Sequence, residues 1–306
     1  PPGTYRNPIV NHDGADPSII RAADGAYYLY TTQTDYGWHY NIPVLRSVDL
    51  IHWRLMGDAL PALPAWAGAH SWAPHVDRVG NRYLLYFATQ IDGSPDFAVA
   101  VASSRSPLGP FLTSSHPVVT GHELEALDPF VLDMPNRRHI LYWGSWGSPL
   151  QAAALTRNGM ALAESPHPVL FPDPSGSTPY ERLIEAPWVL PHGGQYYLMY
   201  SGDRCCWSDA HYAVMVARSP SPYGPFVRDP NNPILAGNRA FRDPGHNATI
   251  TDAIGQDWIV YHAMRPADDA DRVLMMDRID WTQDGWPVIN GGSGPSNTPV
   301  AAPIVR

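Results

Sequence analysis

The chain has 306 residues, no lysine and a formal net charge of −9, with a sequence pI of about 5.7. That acidity argues against a nucleic-acid backbone as ligand, the missing lysine excludes a Schiff-base or P-loop lysine, and no stretch approaches the ~20 apolar residues of a membrane span. Only 16% of residues are charged while 11% are aromatic, with 33 Pro and 25 Gly, a profile that suits an all-β protein with many turns and a neutral sugar as ligand.

A short run ending in tyrosine recurs five times: Tyr27–Tyr30, Tyr83–Tyr86, His139–Tyr142, Tyr196–Tyr200 and Trp258–Tyr261. The terminal tyrosines are 56, 56, 58 and 61 residues apart. Each run is rich in β-formers and follows a turn signal: Asp24-Gly25, Gly80-Asn81, Pro135-Asn136, Gly193-Gly194 or Gly255-Gln256. A strand entered from a hairpin looks like this. A repeat of this length built from short strands predicts a propeller blade of four strands, and five blades account for nearly all of the chain. The sequence therefore predicts one domain over residues 1–306, a five-bladed β-propeller with its active site at the central channel.

The residues 14 or 15 positions before the terminal tyrosines are Asp16, Trp72, Asp128, Glu185 and His246, which mark the expected blade starts. Four of the five have a proline one or two residues later, and proline fits the first residue of a strand, where no ladder bond is lost. The first strand of a propeller blade lines the channel, so these five side chains are expected to converge. Three carboxylates, an imidazole and an indole in one pocket are costly without a task, because like charges held close disfavour ionisation. Asp13 is a rival carboxylate in the first blade, but the register selects Asp16.

In chain order, the segment from Pro1 to Val10 is expected to pair with the last blade and close the ring, removing exposed edges. The aromatic loop Thr34 to Tyr40 is placed at the pocket rim, which makes Tyr36 and Trp38 candidate sugar contacts. Ser106-Pro107-Leu108-Gly109-Pro110-Phe111 has a near copy in Ser221-Pro222-Tyr223-Gly224-Pro225-Phe226, read as an outer turn with its Phe packed between blades. Trp146, after Tyr142, and Arg265, after Tyr261, are further candidates for binding sugar. Adjacent Cys205 and Cys206 are either a vicinal disulfide or two reduced thiols, since neighbouring Cα atoms ~3.8 Å apart sit closer than the usual disulfide span. The glycine-rich stretch 291–297 is expected to be flexible. Asn247-Ala248-Thr249 is a glycosylation sequon, but a glycan beside the pocket would block it, so none is expected.

The ordered set Asp16-Pro17, Trp72-Ala73-Pro74, Asp128-Pro129, Glu185-Ala186-Pro187 and Gly245-His246 closely resembles glycoside hydrolase family 43, and the likeness covers essentially the whole chain. The resemblance implies a five-bladed propeller that hydrolyses glycosidic bonds with inversion, with Asp16 as general base, Glu185 as general acid and Asp128 as the carboxylate that tunes and orients the acid. Inversion calls for carboxyl groups ~6.5–9.5 Å apart, which leaves room for a water. His246 resembles the histidine that lies near a bound cation, often calcium, in arabinan-active members. It is a candidate metal contact through waters, or else a hydrogen-bonded residue at the channel floor; the chemistry itself needs no cofactor. The Cys205-Cys206 segment looks like that of arabinan-cleaving members. The expected activity is exo-α-L-arabinofuranosidase on arabinan, arabinoxylan or their oligosaccharides, with endo-1,5-α-L-arabinanase and β-xylosidase as alternatives. The expected location is extracellular, with a targeting segment removed and a carbohydrate-binding module as a candidate missing part. A sugar-binding propeller lectin is the non-enzyme alternative, disfavoured because the five axial residues differ in kind.

Overall fold

The computed structural model describes residues 3–267 and 271–305, and they form five antiparallel blades around a channel, four of them four-stranded and the second five-stranded. Blade one comprises Ser18–Arg21, Tyr27–Tyr30, Pro43–Ser47 and Arg54–Asp58. Blade two is Ala67–Val79, Arg82–Ile91 and Phe97–Ser104, edged by the short strands Leu112–Thr113 and Val119–Gly121. Blade three is Phe130–Met134, Arg138–Trp143, Leu150–Ala154 and His167–Leu170. Blade four is Glu185–His192, Gln195–Arg204, His211–Ser219 and Val227–Arg228. Blade five is Arg242–Thr251, Asp257–Met264, Arg272–Trp281 and Pro287–Ile289. Each first strand packs against those of both neighbouring blades, the fifth against the first, so five first strands encircle the axis.

The turn chemistry explains the hairpins. Gly25, Gly80, Asn136, Gly194 and Gly255 all sit at φ between +64° and +84°, a left-handed conformation that glycine adopts without cost and asparagine tolerates. The five repeat tyrosines Tyr30, Tyr86, Tyr142, Tyr200 and Tyr261 are all fully buried. A buried phenol must find an acceptor, and each does. Tyr30 donates to the carbonyl of Pro107 and Tyr142 to that of Pro222, both at 2.6 Å. The two near-copy turns thus supply an acceptor to the tyrosine of the preceding blade. Their Phe111 and Phe226 pack in the apolar layers between blades one and two and between blades three and four.

Five such apolar layers, one per blade interface, make up the core. Pro1 and Pro2 of the first segment lie outside the described residues, and its end lies on blade five: the amide of Ile9 donates to Leu274 O at 2.8 Å, and Leu274 N donates to Val10 O at 3.1 Å. Thr4–Tyr5 also pairs with Val300–Ala301 as a two-stranded clasp. The glycine-rich stretch 291–297 carries anchors that its composition does not suggest. Asn7 Nδ2 donates to Ser296 Oγ at 2.9 Å, and Asn238 Nδ2 donates to Pro295 O at 2.8 Å. Cys205 and Cys206 are joined by a disulfide, and Asn247 of the sequon is buried.

Candidate active site

A residue in the left-handed region recurs at the mouth of each first strand: Asp16 (φ 56°), Ala73 (49°), Asp128 (57°), Ala186 (55°) and His246 (46°), with His70 (71°) and Asp243 (51°) as further ones in blades two and five. Residues with side chains rarely adopt this conformation, and it persists where the surroundings over-determine it. Four of the five amides are pinned. Asp16 N donates to His262 Nδ1 at 3.1 Å, Ala73 N to Thr32 Oγ1 at 2.8 Å, Ala186 N to Asp128 Oδ2 at 3.0 Å and His246 N to Ser201 Oγ at 2.9 Å. The pairing register slips at these points in blades two, four and five, as at a bulge that re-aims a side chain. Counting residues aligns Trp72 and Glu185 with Asp16, Asp128 and His246. In the fold, Ala73 and Ala186 hold the equivalent place, and Trp72 and Glu185 stand one residue before it. Ala186 stands 14 residues before Tyr200, as Asp16 does before Tyr30, while Ala73 stands 13 before Tyr86 and His246 15 before Tyr261, so the count drifts by one in the bulged strands of blades two and five.

Asp16, Asp128 and Glu185 are all buried. Around Asp16, Thr32 Oγ1 donates to Oδ2 at 2.6 Å, while Arg272 Nη1 and the Nδ1 atoms of His246 and His262 approach Oδ1 at 3.3, 3.3 and 3.4 Å. Burial alone would raise the Asp16 carboxyl, but Arg272, His246 and His262 outweigh it and hold it well below the usual carboxylate range. Burial acts first on Glu185 too and pushes its carboxyl up, helped by the charge of Asp16 and opposed by hydroxyls of Ser145 and Tyr212. Asp128 is driven well above its ordinary value by burial, then by Glu185 and Asp16. Asp128 and Glu185 therefore retain a proton under conditions where Asp16 has lost its own.

His246 lies 4.0 Å from Asp128 Oδ2, and burial lowers its imidazole to about 4, so it is neutral at ordinary pH. Asn247 Oδ1 and His262 Nε2 are buried without a hydrogen-bond partner. Such atoms are normally met by ordered water or an ion. Calcium prefers several oxygen ligands, so the imidazole of His246 fits a cation only if waters complete the shell.

The other expected contacts spread around the rim. Trp146 directly follows Ser145, whose hydroxyl reaches Glu185, and is 42% exposed. Tyr36 stacks on His12 at 3.9 Å between ring centroids, and the exposed Trp38 stacks on Tyr40 at 6.2 Å. A polar recess of ≈ 390 Å³ opens in this region, lined by His12, Asp13, Gln33, Thr34, Asp35, His39 and Asp271. Trp72 is half-buried and packs on Phe97 at 5.0 Å, which leaves less of it to meet a ligand. Arg265 directly follows the second strand of blade five and is half-buried.

Sequence reasoning did not single out Thr32, Ser145, Tyr212, His262 or Arg272. Thr32, Ser145 and His262 lie one to three residues past a repeat tyrosine, so extending the repeat beyond Tyr would have reached them. Tyr212 and Arg272 come from third strands, whose register depends on hairpin lengths that vary between blades.

Residues 5–287 match the sequence profile of glycosyl hydrolases family 43. The chain belongs to glycosyl hydrolase family 43. It is therefore a glycoside hydrolase, and the lectin alternative is set aside. The extracellular exo-α-(1→5)-L-arabinofuranosidase of Cellvibrio japonicus is 27% identical over 91% of this chain and 86% of its own length. A β-D-galactofuranosidase of Aspergillus niger is 31% identical over 91% of this chain and 83% of its own. Among solved structures, a thermostable family-43 glycoside hydrolase superposes with a TM-score of 0.84 at 25% identity, covering 99% of this chain and 100% of that one. The five-bladed propeller is the architecture this family 43 chain adopts.

Proposed function

We propose that the protein is an inverting exo-α-L-arabinofuranosidase, with Asp16 as general base, Glu185 as general acid and Asp128 as the group that raises and orients the acid. The observation that carries this reading is the opposed protonation of two carboxyls in one buried channel, with Asp16 held low and Glu185 held high. Two carboxyls whose environments push them apart are the division of labour that acid–base hydrolysis needs. Asp16 would take a proton from water as that water attacks the anomeric carbon. The bond to the leaving oxygen breaks with its electron pair, and that oxygen takes the proton of Glu185. Arg272 keeps Asp16 ionised for its part, and the hydroxyl of Thr32 fixes its orientation. Trp146, beside Ser145, is the candidate platform for the sugar that departs.

The sugar assignment draws on the Cellvibrio relative, whose name gives an arabinofuranosidase; arabinan, arabinoxylan and their oligosaccharides are the substrates to try. The Aspergillus niger relative supports a second reading, since its named substrate is also a furanoside. A secreted location follows the extracellular relative. A water-coordinated cation near His246 would be structural, and no chemical step is assigned to it. Assays on aryl α-L-arabinofuranoside, β-D-galactofuranoside and β-D-xyloside, and on linear arabinan, decide the sugar. Monosaccharide as the first product from linear arabinan supports exo action, and early mixed oligosaccharides mean endo action. NMR of the first-formed arabinose should show the β anomer from an α-linked substrate; a first-formed α anomer would rule out inversion.

A further inference from the structure

Glu185 is held on both of its oxygens. Ser145 Oγ donates to Oε2 and Tyr212 Oη donates to Oε1, each at 2.7 Å. The two donors come from different blades: Ser145 follows the second strand of blade three, and Tyr212 lies in the third strand of blade four. Tyr212 is itself firmly seated. It is 1% exposed, and its amide donates to Asp243 Oδ1 at 3.2 Å. Its ring lies so close to Gly245 of blade five that a Cβ there would fall 2.0 Å from a ring carbon. Glycine at 245 is therefore what admits the ring, and three blades together fix the plane of one carboxyl group.

We propose that Tyr212, together with Ser145, is a positioning residue that sets the aim and the acid strength of Glu185. The inference rests on the assignment of Glu185 as general acid. When Glu185 gives its proton to the departing oxygen, negative charge appears on a buried carboxyl. Two hydroxyls already point at that carboxyl, and donors fixed where charge develops stabilise it with no reorganisation. Burial and the charge of Asp16 keep the acid protonated before the step, and the two hydroxyls make the proton transferable during it. Burial and the neighbouring Glu185 raise the Tyr212 phenol well above its usual range, so it stays a donor. The other charged groups that face this site are Asp16, which raises the acid, Arg272, which lowers it, and Asp128, whose own carboxyl is raised by burial and then by the charge of Glu185.

The test compares Tyr212→Phe, Ser145→Ala and Glu185→Ala on aryl glycosides of the sugar cleaved, with leaving phenols from acidic to basic. Tyr212→Phe keeps the ring over Gly245 and removes only the donor. Its alkaline limb in kcat/KM should move up by about one pH unit, as expected for losing a hydrogen bond to a charged group. Its loss of rate should grow as the leaving phenol becomes more basic, reaching about tenfold. Ser145→Ala should shift the limb in the same direction and carries the test if Tyr212→Phe folds poorly. A uniform loss on all substrates with an unmoved limb would mean that the hydroxyls serve structure alone, and the inference fails. Glu185→Ala is the reference: without leaving-group dependence in that variant, the acid assignment falls and takes this inference with it.

Discussion

Asp128 reaches the acid through the backbone: its Oδ2 accepts the amide of Ala186, the residue after Glu185, at 3.0 Å. The group thus has two effects: its oxygen holds the bulge, and it competes with Glu185 for ionisation, since burial and then the charge of Glu185 drive it well above its ordinary value. Asp128→Asn can keep an acceptor oxygen while losing the ionisable group. Without that competing carboxyl the acid ionises more readily, so the alkaline limb of the pH–rate profile should move to lower pH. Asp128→Ala removes both effects and should cost more turnover than Asp128→Asn. Equal losses and equal limbs in the two variants would show that the charge has no part in catalysis.

Removing the acid and removing the base should look different. Glu185→Ala should retain more activity on substrates with good leaving groups, which need little protonation. Asp16→Ala should lose about 10²–10⁴-fold on every substrate, because each needs the activated water, and added azide is expected to restore part of the rate. Steady-state rates on nitrophenyl and unsubstituted phenyl glycosides check both.

Trp146→Ala should raise KM on oligosaccharides about three- to tenfold while changing kcat/KM little on a small aryl glycoside. The expectation comes from its exposure beside Ser145. Equal effects on both substrates would place the indole away from the departing chain.

Stability should depend on a group far from the chemistry. Asp77 lies near Asp133 and His139 between blades two and three, and burial, then the charge of Asp133, pushes its carboxyl up to about 7. The unfolded value is ~3.9. Between those values the folded chain binds a proton that the unfolded chain does not. The resulting stability is present below about pH 4 and is lost as pH rises through 7. Asp77→Asn should therefore raise Tm by a few degrees at pH 8 and much less at pH 4, as thermal melts across pH would show.

If a cation sits near His246, dialysis against a chelator should lower Tm by a few degrees, and added calcium should restore it. An unchanged melt under both treatments would leave water as the channel's occupant.

The fivefold tyrosine repeat was legible because burial and a hydrogen bond to an acceptor constrain each tyrosine alike, so the same residue recurs at near-constant spacing. Asp16, Asp128 and Glu185 were legible because each stands at or two residues before the start of a first strand, ahead of a proline. The equivalence of Ala73 to Asp16 was hidden, because a bulge shifts the count to Tyr86 by one residue, and that of Ala186, at the same 14-residue spacing as Asp16, was masked by the neighbouring carboxylate of Glu185. Arg272 and Tyr212 were hidden for a different reason. Both come from third strands, Arg272 reaching Asp16 across the interface of blades five and one and Tyr212 reaching Glu185 within blade four, and the offset of those strands depends on the length of the preceding loop. The anchoring of 291–297 was missed because composition reports what a segment prefers alone, whereas Asn7 and Asn238 decide it from elsewhere in the chain.

The meeting of first and last blades makes the ring resemble a belt with its buckle beside the base. Residues Asn7 to Val10 fasten to blade five at Leu274 and Met276, and Gly14 and Asp13 fasten to the backbone of Arg272. Arg272, which keeps Asp16 ionised, and His262, which accepts the Asp16 amide, also tie blade five to blade one. Loosening of this buckle would free Asp16 from the Arg272 guanidinium while the grip of blades three, four and five on Glu185 stayed closed. Gentle heating should then cost the enzyme its water-activating half while most of its sheet is still intact, with activity fading ahead of the far-UV signal.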